Sequence, residues 1–301
     1  MRTAEMQAPE KSSAAAVKAI LFATDFSDAA KRAQSYATSL ASRFRAKLYV
    51  VHAYEPPNYA LRPENWRDAN ATTAAKMREL QESLTTAFPG FESQFFLDEG
   101  SAWQAVESAI GKNKIDLIVL GTRGRTGVGK LLLGSQAEEI LRRAPCPVLT
   151  VGPNSQPMTG KENELSEMLY ATDFSPTSQA AAPFAVSMAL ALQAHLNLLH
   201  VVEEPKVGEL VRAEEVLSSS ERLLRSLVPD EAKFWREPRF FAERGASAEK
   251  ILEVAERVHA GLIVLGVRKP AGAPGAATHL GIGVAHKVVS AATCPVLTLR
   301  G

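Results

Sequence analysis

Short, nearly continuous apolar runs alternate with longer amphipathic stretches along the whole chain. The runs fall near 18–24, 46–53, 93–98, 115–121 and 147–152, and again near 166–172, 195–202, 238–243, 261–267 and 295–300. A short apolar run without period-two alternation predicts a strand covered on both faces. Between the first five runs lie segments of helical character at 27–44, 72–88, 102–113 and 136–143. The first opens on Ser27-Asp28, and the second is poor in β-branched residues after its start. Strand–helix alternation of this kind predicts the α/β class, a parallel sheet with helices on both faces.

The pattern is written twice. Ala23-Thr24-Asp25-Phe26-Ser27 returns as Ala171-Thr172-Asp173-Phe174-Ser175, an offset of 148 (173 − 25). His52 pairs with His200, and Cys146-Pro147-Val148-Leu149-Thr150 with Cys294-Pro295-Val296-Leu297-Thr298, in the same register. Between these matches Gly100 pairs with Gly245 and Gly121 with Gly266, at an offset of 145 (245 − 100). Similarity in a fixed register over this length predicts two homologous domains in tandem. The expected division is a disordered tail at 1–16, a first domain at 17–152, a polar linker at 153–165 and a second domain at 166–301. Each half is long enough to bury a core of its own.

Composition narrows the function classes. The chain has 301 residues, 46% hydrophobic and 22% charged, with a formal net charge of +1. That balance gives no electrostatic case for nucleic acid or an anionic membrane. No apolar run approaches the ~20 residues of a membrane helix. The first residues lack the apolar core of a signal peptide. Two cysteines argue against a disulfide framework and fit a reducing cytoplasm.

The candidate chemistry lies at Gly121–Ser135, which follows the run Leu117-Ile118-Val119-Leu120 and precedes a helical segment. Gly121 and Gly124 are separated by two residues, and nine more lead to Gly134-Ser135. A strand opening into a glycine-rich loop and then a helix predicts an anion cradle, since glycine lets main-chain N–H groups approach a ligand. Arg123 and Lys130 are placed to neutralise phosphate charge, whereas Arg125 reads as solvated loop charge. Gly124 to Lys130 fits the first part of a P-loop, but Leu131 stands where a hydroxyl should hold Mg2+. Ser135 and Glu138 have capping-box spacing, so Ser135 is read both as a helix cap and as a phosphate contact. Asp25, at the end of the first strand, is an N-cap candidate for the following helix. His52 and His200 have no ligating cluster beside them and read as structural histidines. Cys146 and Cys294 read as buried small hydrophobes.

Together these residues resemble the universal stress protein family. The first half carries that family's G-x2-G-x9-G-[S/T] motif as Gly121, Gly124, Gly134 and Ser135, beside the Ala-Thr-Asp strand and the Cys-Pro-Val strand. The resemblance implies two domains, each with five parallel strands ordered 3-2-1-4-5 and helices on both faces. It implies ATP, with Mg2+, at the carboxyl ends of the strands. Asp25 would contact the nucleotide, Ala23 and Thr24 would line the adenine side through backbone groups, and the main chain of Ala53 would meet adenine. Gly124 would let the loop face the α- and β-phosphates. The family pairs through its last strands, so Val148–Val151 and Val296–Leu299 are expected to pair within the chain as a pseudo-dimer. A homodimer of chains and an unknown protein partner are compatible with that arrangement.

The second loop departs from the motif. Lys269 replaces the second glycine, Pro270 and Pro274 remove N–H donors, and Ile282-Gly283 stand where Gly134-Ser135 should recur. The expectation is one competent ATP site, in the first half, serving a regulatory stress-response protein. A slow ATPase or phosphotransfer enzyme and a ligand-free scaffold remain alternatives; no general base is evident against a γ-phosphate.

Overall fold

The computed structural model describes residues 17–54, 63–87, 92–122, 133–160, 164–203, 213–267 and 283–300. Residues 1–16, 123–132 and 268–282 lie outside them. The first half runs β1 (Ala19–Ala23), α1 (Asp28–Phe44), β2 (Lys47–Tyr54), α2 (Pro63–Ala87), β3 (Ser93–Glu99), α3 (Ala102–Lys112), β4 (Leu117–Gly121), α4 (Ser135–Arg143) and β5 (Val148–Val151). The second runs β6 (Glu167–Ala171), α5 (Pro176–Leu192), β7 (His195–Val202), α6 (Ala213–Ser226), β8 (Arg239–Arg244), α7 (Ser247–Arg257), β9 (Leu262–Val267), α8 (Val284–Ala291) and β10 (Val296–Arg300).

In the first half every element but one begins and ends within about two residues of its sequence-based bounds, the ordinary scatter of element ends. The exception is α2, which starts at Pro63 rather than at 72. Residues 63–71 show no apolar period, so the pattern misses them. Pro63 starts the helix all the same, because its fixed φ and missing N–H suit the first helical position.

Each half forms a parallel sheet of order 3-2-1-4-5. The two sheets join into one of ten strands, β3-β2-β1-β4-β5-β10-β9-β6-β7-β8. The seam is antiparallel: Val296 faces Thr150, Leu297 faces Leu149 and Thr298 faces Val148. The Thr150 hydroxyl donates to the Val296 carbonyl at 3.0 Å, and the Thr298 hydroxyl to the Val148 carbonyl at 3.3 Å. These paired buried hydroxyls repeat the sequence symmetry in three dimensions. The expected pairing of last strands within the chain is thus present.

Two apolar cores flank the sheet, one on each face. One packs α1, α2, α5 and α6; the other packs α3, α4, α7 and α8. Both draw on residues of each half, so the two halves share their apolar layers. Pairing β5 with β10 makes the sheet faces continuous, and the apolar layers follow the sheet. The connector is fastened as well. Tyr36 donates to the Gln156 carbonyl at 2.7 Å, and Met158 N donates to Ser35 Oγ at 2.9 Å.

On α1 the buried face is mostly small, with Ala29, Ala30, Ala33, Ala37 and Ala41. The helix therefore lies close to β4. A Cβ at Gly121 would sit 2.8 Å from the Ala29 carbonyl carbon, and one at Gly266 would sit 2.5 Å from Ser178 Cα. The expectation that Gly121 serves loop wrapping is refined: the close approach of α1 to the strand end is what excludes a side chain there.

Candidate nucleotide site

In the first half β1 pairs with β2 on one side and β4 on the other. Chain connections leave these neighbours in opposite directions, which opens a crevice at their carboxyl ends. A cavity of about 350 Å3 lies there, within the size range of small-molecule sites. Seven of the ten residues expected from sequence line it: Ala23, Thr24, Asp25, Ala53, Gly121, Gly134 and Ser135. The other three, Arg123, Gly124 and Lys130, fall at 123–132, outside the described residues.

The β1–α1 turn fixes the acidic residue. Ser27 caps α1, its hydroxyl accepting from Ala30 N at 3.2 Å. Asp25 is therefore not the N-cap, which corrects one reading of it. Its Oδ1 accepts from Ser27 N at 3.0 Å, closing a tight local turn at the cavity edge. Phe26 has φ 63, a left-handed conformation uncommon for a bulky residue. Thr24 Oγ1 accepts from Phe26 N at 3.1 Å, and the Phe26 ring rests against His52 with centroids 4.7 Å apart. His52 Nδ1 donates to the Thr24 carbonyl at 2.6 Å; a carbonyl only accepts, so this nitrogen carries a proton. Phe174 (φ 57) and His200, whose Nδ1 lies 2.8 Å from the Thr172 carbonyl, repeat the device. These bonds bear out the structural reading of both histidines.

Thr24 lines the cavity, but its main-chain groups are engaged within the fold. Its N–H donates to the Val51 carbonyl at 2.9 Å, and its carbonyl accepts from His52. The expectation that Thr24 offers backbone groups to adenine is corrected for its N–H, because the β1–β2 ladder runs one residue past the strand.

At the opposite wall α4 begins. Gly134 is its N-cap, with φ −64 and ψ 142 and no side-chain cap bond. The Gly134 carbonyl already accepts from Glu138 N at 2.9 Å. Ser135 is thus the first helical residue rather than the cap, and the capping box expected with Glu138 does not form. The hydroxyl of Ser135 has no partner among the described residues, while the unpaired N–H groups of the first turn give this end of α4 a partial positive charge. The site therefore sets a carboxylate at one edge against an anion-favouring helix end at the other.

Between them the wall is apolar, formed by Val51, Ala102, Ala105 and Val106. Sequence reasoning missed these residues, along with Gly100 and Gln136. Gly100 has φ +120 and Gly245 has φ +135, so the turn after the third strand needs glycine in both halves. Their pairing in the repeat was the available signal. A true capping box starts α3, where Ser101 Oγ accepts from Gln104 N and Gln104 Oε1 from Ser101 N. Gln136 Oε1 then accepts from Ala102 N at 3.2 Å and ties the start of α3 to that of α4.

Burial pushes the Cys146 and Cys294 thiols up to about 12, with the Asp116 carboxylate adding to the shift at Cys146. Both stay protonated, as expected of small core hydrophobes. Among the described residues no group of three His, Cys, Asp or Glu side chains is placed to hold a metal, and no helix is long and apolar enough to cross a membrane.

A model of the universal stress protein family matches residues 16–152 and, a second time, 165–300. The chain belongs to the universal stress protein family. A universal stress protein of Thermus aquaticus is 44% identical over 137 residues, covering 44% of this chain and 98% of that protein. One from Mycobacterium tuberculosis is 31% identical over 118 residues, covering 37% of this chain and 39% of its own. Among solved structures, a universal stress protein from Archaeoglobus fulgidus superposes with TM-score 0.68 at 20% identity, covering 94% of this chain and 98% of the other. A putative universal stress protein from Pseudomonas aeruginosa gives 0.62 at 18% identity, covering 95% and 94%. At those identities the likeness is one of fold, and it extends over both universal stress protein units together.

Proposed function

We propose that this universal stress protein binds ATP in its first half and acts as a nucleotide-dependent regulatory protein in stress response. One observation carries the reading: a cavity of about 350 Å3 at the β1–β4 switch point is bounded by Asp25 on one side and by Gly134 and Ser135 at the start of α4 on the other. A nucleotide has the matching polarity. Its ribose hydroxyls suit a carboxylate, its base suits the apolar wall of Val51, Ala53 and Val106, and its phosphates suit a helix N-terminus. ATP supplies the anionic phosphates. Mg2+ would be held largely by those phosphates and water, as that ion commonly is. Residues 123–132, with Arg123, Gly124 and Lys130, follow Thr122 and would complete the phosphate side.

Titration of the full chain with Mg-ATP in a calorimeter tests this reading. The expected result is one site per chain with micromolar affinity, since four or five charge-assisted hydrogen bonds offset by immobilisation reach about 8 kcal/mol. Absence of heat, or two equivalent sites, overturns it.

A further inference from the structure

The C-terminal ends of α1 and α5 meet at a cleft of about 580 Å3, within the size range of small-molecule sites. It shares no lining residue with the cavity at the end of β1. Two guanidiniums line it, Arg43 from the first half and Arg236 from the segment before β8, and no acidic side chain does. Trp235 lines it as well; at 82% exposed it is the most open large hydrophobic side chain among the described residues. Each guanidinium is held from one side. Arg43 Nη1 donates to the Leu192 carbonyl at 3.4 Å, across the two halves. Arg236 Nη1 lies 3.7 Å from Glu167 Oε1. A guanidinium has further N–H donors, and among the described residues no other group takes them up.

The brace behind Arg236 belongs to the second half alone. Asn197 Nδ2 donates to Glu167 Oε2 at 2.9 Å, and His195 Nδ1 lies 3.3 Å from Glu167 Oε1. His195 Nε2 donates to the Glu237 carbonyl at 2.8 Å, so both ring nitrogens are engaged and His195 shapes the cleft floor. In the repeat register Glu167, His195 and Asn197 correspond to Ala19, Lys47 and Tyr49 (167 − 19 = 148). Those residues cannot form the same network. Glu167 matches one of the two positive charges, and the other is left for a ligand.

We propose that this cleft is a second ligand site, for a small compound that carries a phosphate monoester on a planar aromatic ring. The guanidinium forks of Arg43 and Arg236 suit phosphate oxygens. Two forks call for more than the two oxygens of a carboxylate, and a phosphate monoester offers three. The indole of Trp235 gives the ring a face to stack on. The proposal is independent of the ATP reading, because the cleft and the first-half cavity are built from different residues.

Titration of the full chain with phenyl phosphate, followed by phosphorus NMR, tests it. Wild type should bind this probe with a Kd below about 1 mM. Inorganic phosphate, which has no ring to stack, should bind about fivefold more weakly. Arg43→Gln and Arg236→Gln should each weaken phenyl phosphate at least about tenfold. Trp235→Ala should bring phenyl phosphate to the affinity of inorganic phosphate. All three side chains are exposed, so the substitutions are compatible with the fold. No binding of phenyl phosphate by wild type up to about 10 mM overturns the proposal. Binding that survives in both arginine variants overturns it as well, by placing the anion elsewhere. Equal affinity for the two phosphates in wild type overturns the aromatic assignment, and tighter binding of benzoate than of phenyl phosphate overturns the phosphate assignment.

Discussion

Among the described residues, burial makes two tyrosines and two cysteines hold their protons tightly. Burial pushes Tyr36, Tyr170, Cys146 and Cys294 up to about 12. Their ordinary values are near 10 for tyrosine and near 9 for cysteine. A raised value in the folded state means that the unfolded chain loses these protons first. Stability is then fully present below about pH 9 and declines as pH climbs toward 12, by as much as about 1.4 kcal/mol per group per unit. The urea midpoint should be level from pH 7 to 8 and fall steadily above 9; a level midpoint to pH 11 would contradict the assignment. At this scale the sequence was legible where one residue type admits few environments. Cys146 and Cys294 were readable as core residues because nothing nearby could activate a thiol. Asp25 was readable as a strand-end acid, but not its partner, because Asp25 and Ser27 are both good caps and only backbone geometry chooses between them.

Among the elements, two serines with the same spacing behave differently. Ser101-x-x-Gln104 closes a capping box on α3, while Ser135-x-x-Glu138 does not on α4. The pattern states which residues could pair, and the chain's path into the helix decides whether they do. At α4 the bond from Gly134 N to the Thr122 carbonyl at 2.8 Å pins the loop end to the strand end, so the helix begins one residue early. The two serines should separate in experiment. Ser101→Ala removes a cap and should destabilise the fold by about 0.5–2 kcal/mol in urea, with little change in ATP affinity. Ser135→Ala should leave the urea midpoint unchanged and weaken ATP binding several-fold; a stability loss there would return Ser135 to a capping role. The strands were the most legible elements, because burial on both faces writes itself as an unbroken apolar run. The start of α2 was the least legible, since residues 63–71 are mostly polar and Trp66, Ala69 and Ala71 are too few to set a helical period.

Over the whole molecule, the joined sheet and shared cores predict cooperative behaviour. Leu149 and Leu297 face each other across the seam and are 2% and 1% exposed. The chain should unfold in a single transition by both fluorescence and circular dichroism, despite its two repeats. Leu149→Ala should lower stability by about 2–5 kcal/mol without splitting that transition; two separate transitions would show that the halves stand alone. The repeat was legible in the fixed-register matches and the pairing of last strands in the family resemblance, but the merging of the two apolar layers was not, since no residue pattern within one half reports it. The seam also changes what mutation can do. In a pair of identical subunits any substitution appears on both sides of the axis, so a harmful change at one site is a harmful change at both. A single polypeptide holding both sides lifts that constraint. One half can keep its Cys-Pro-Val-Leu-Thr strand for pairing while its loop sequence departs from the glycine motif, and the other half can keep that motif intact.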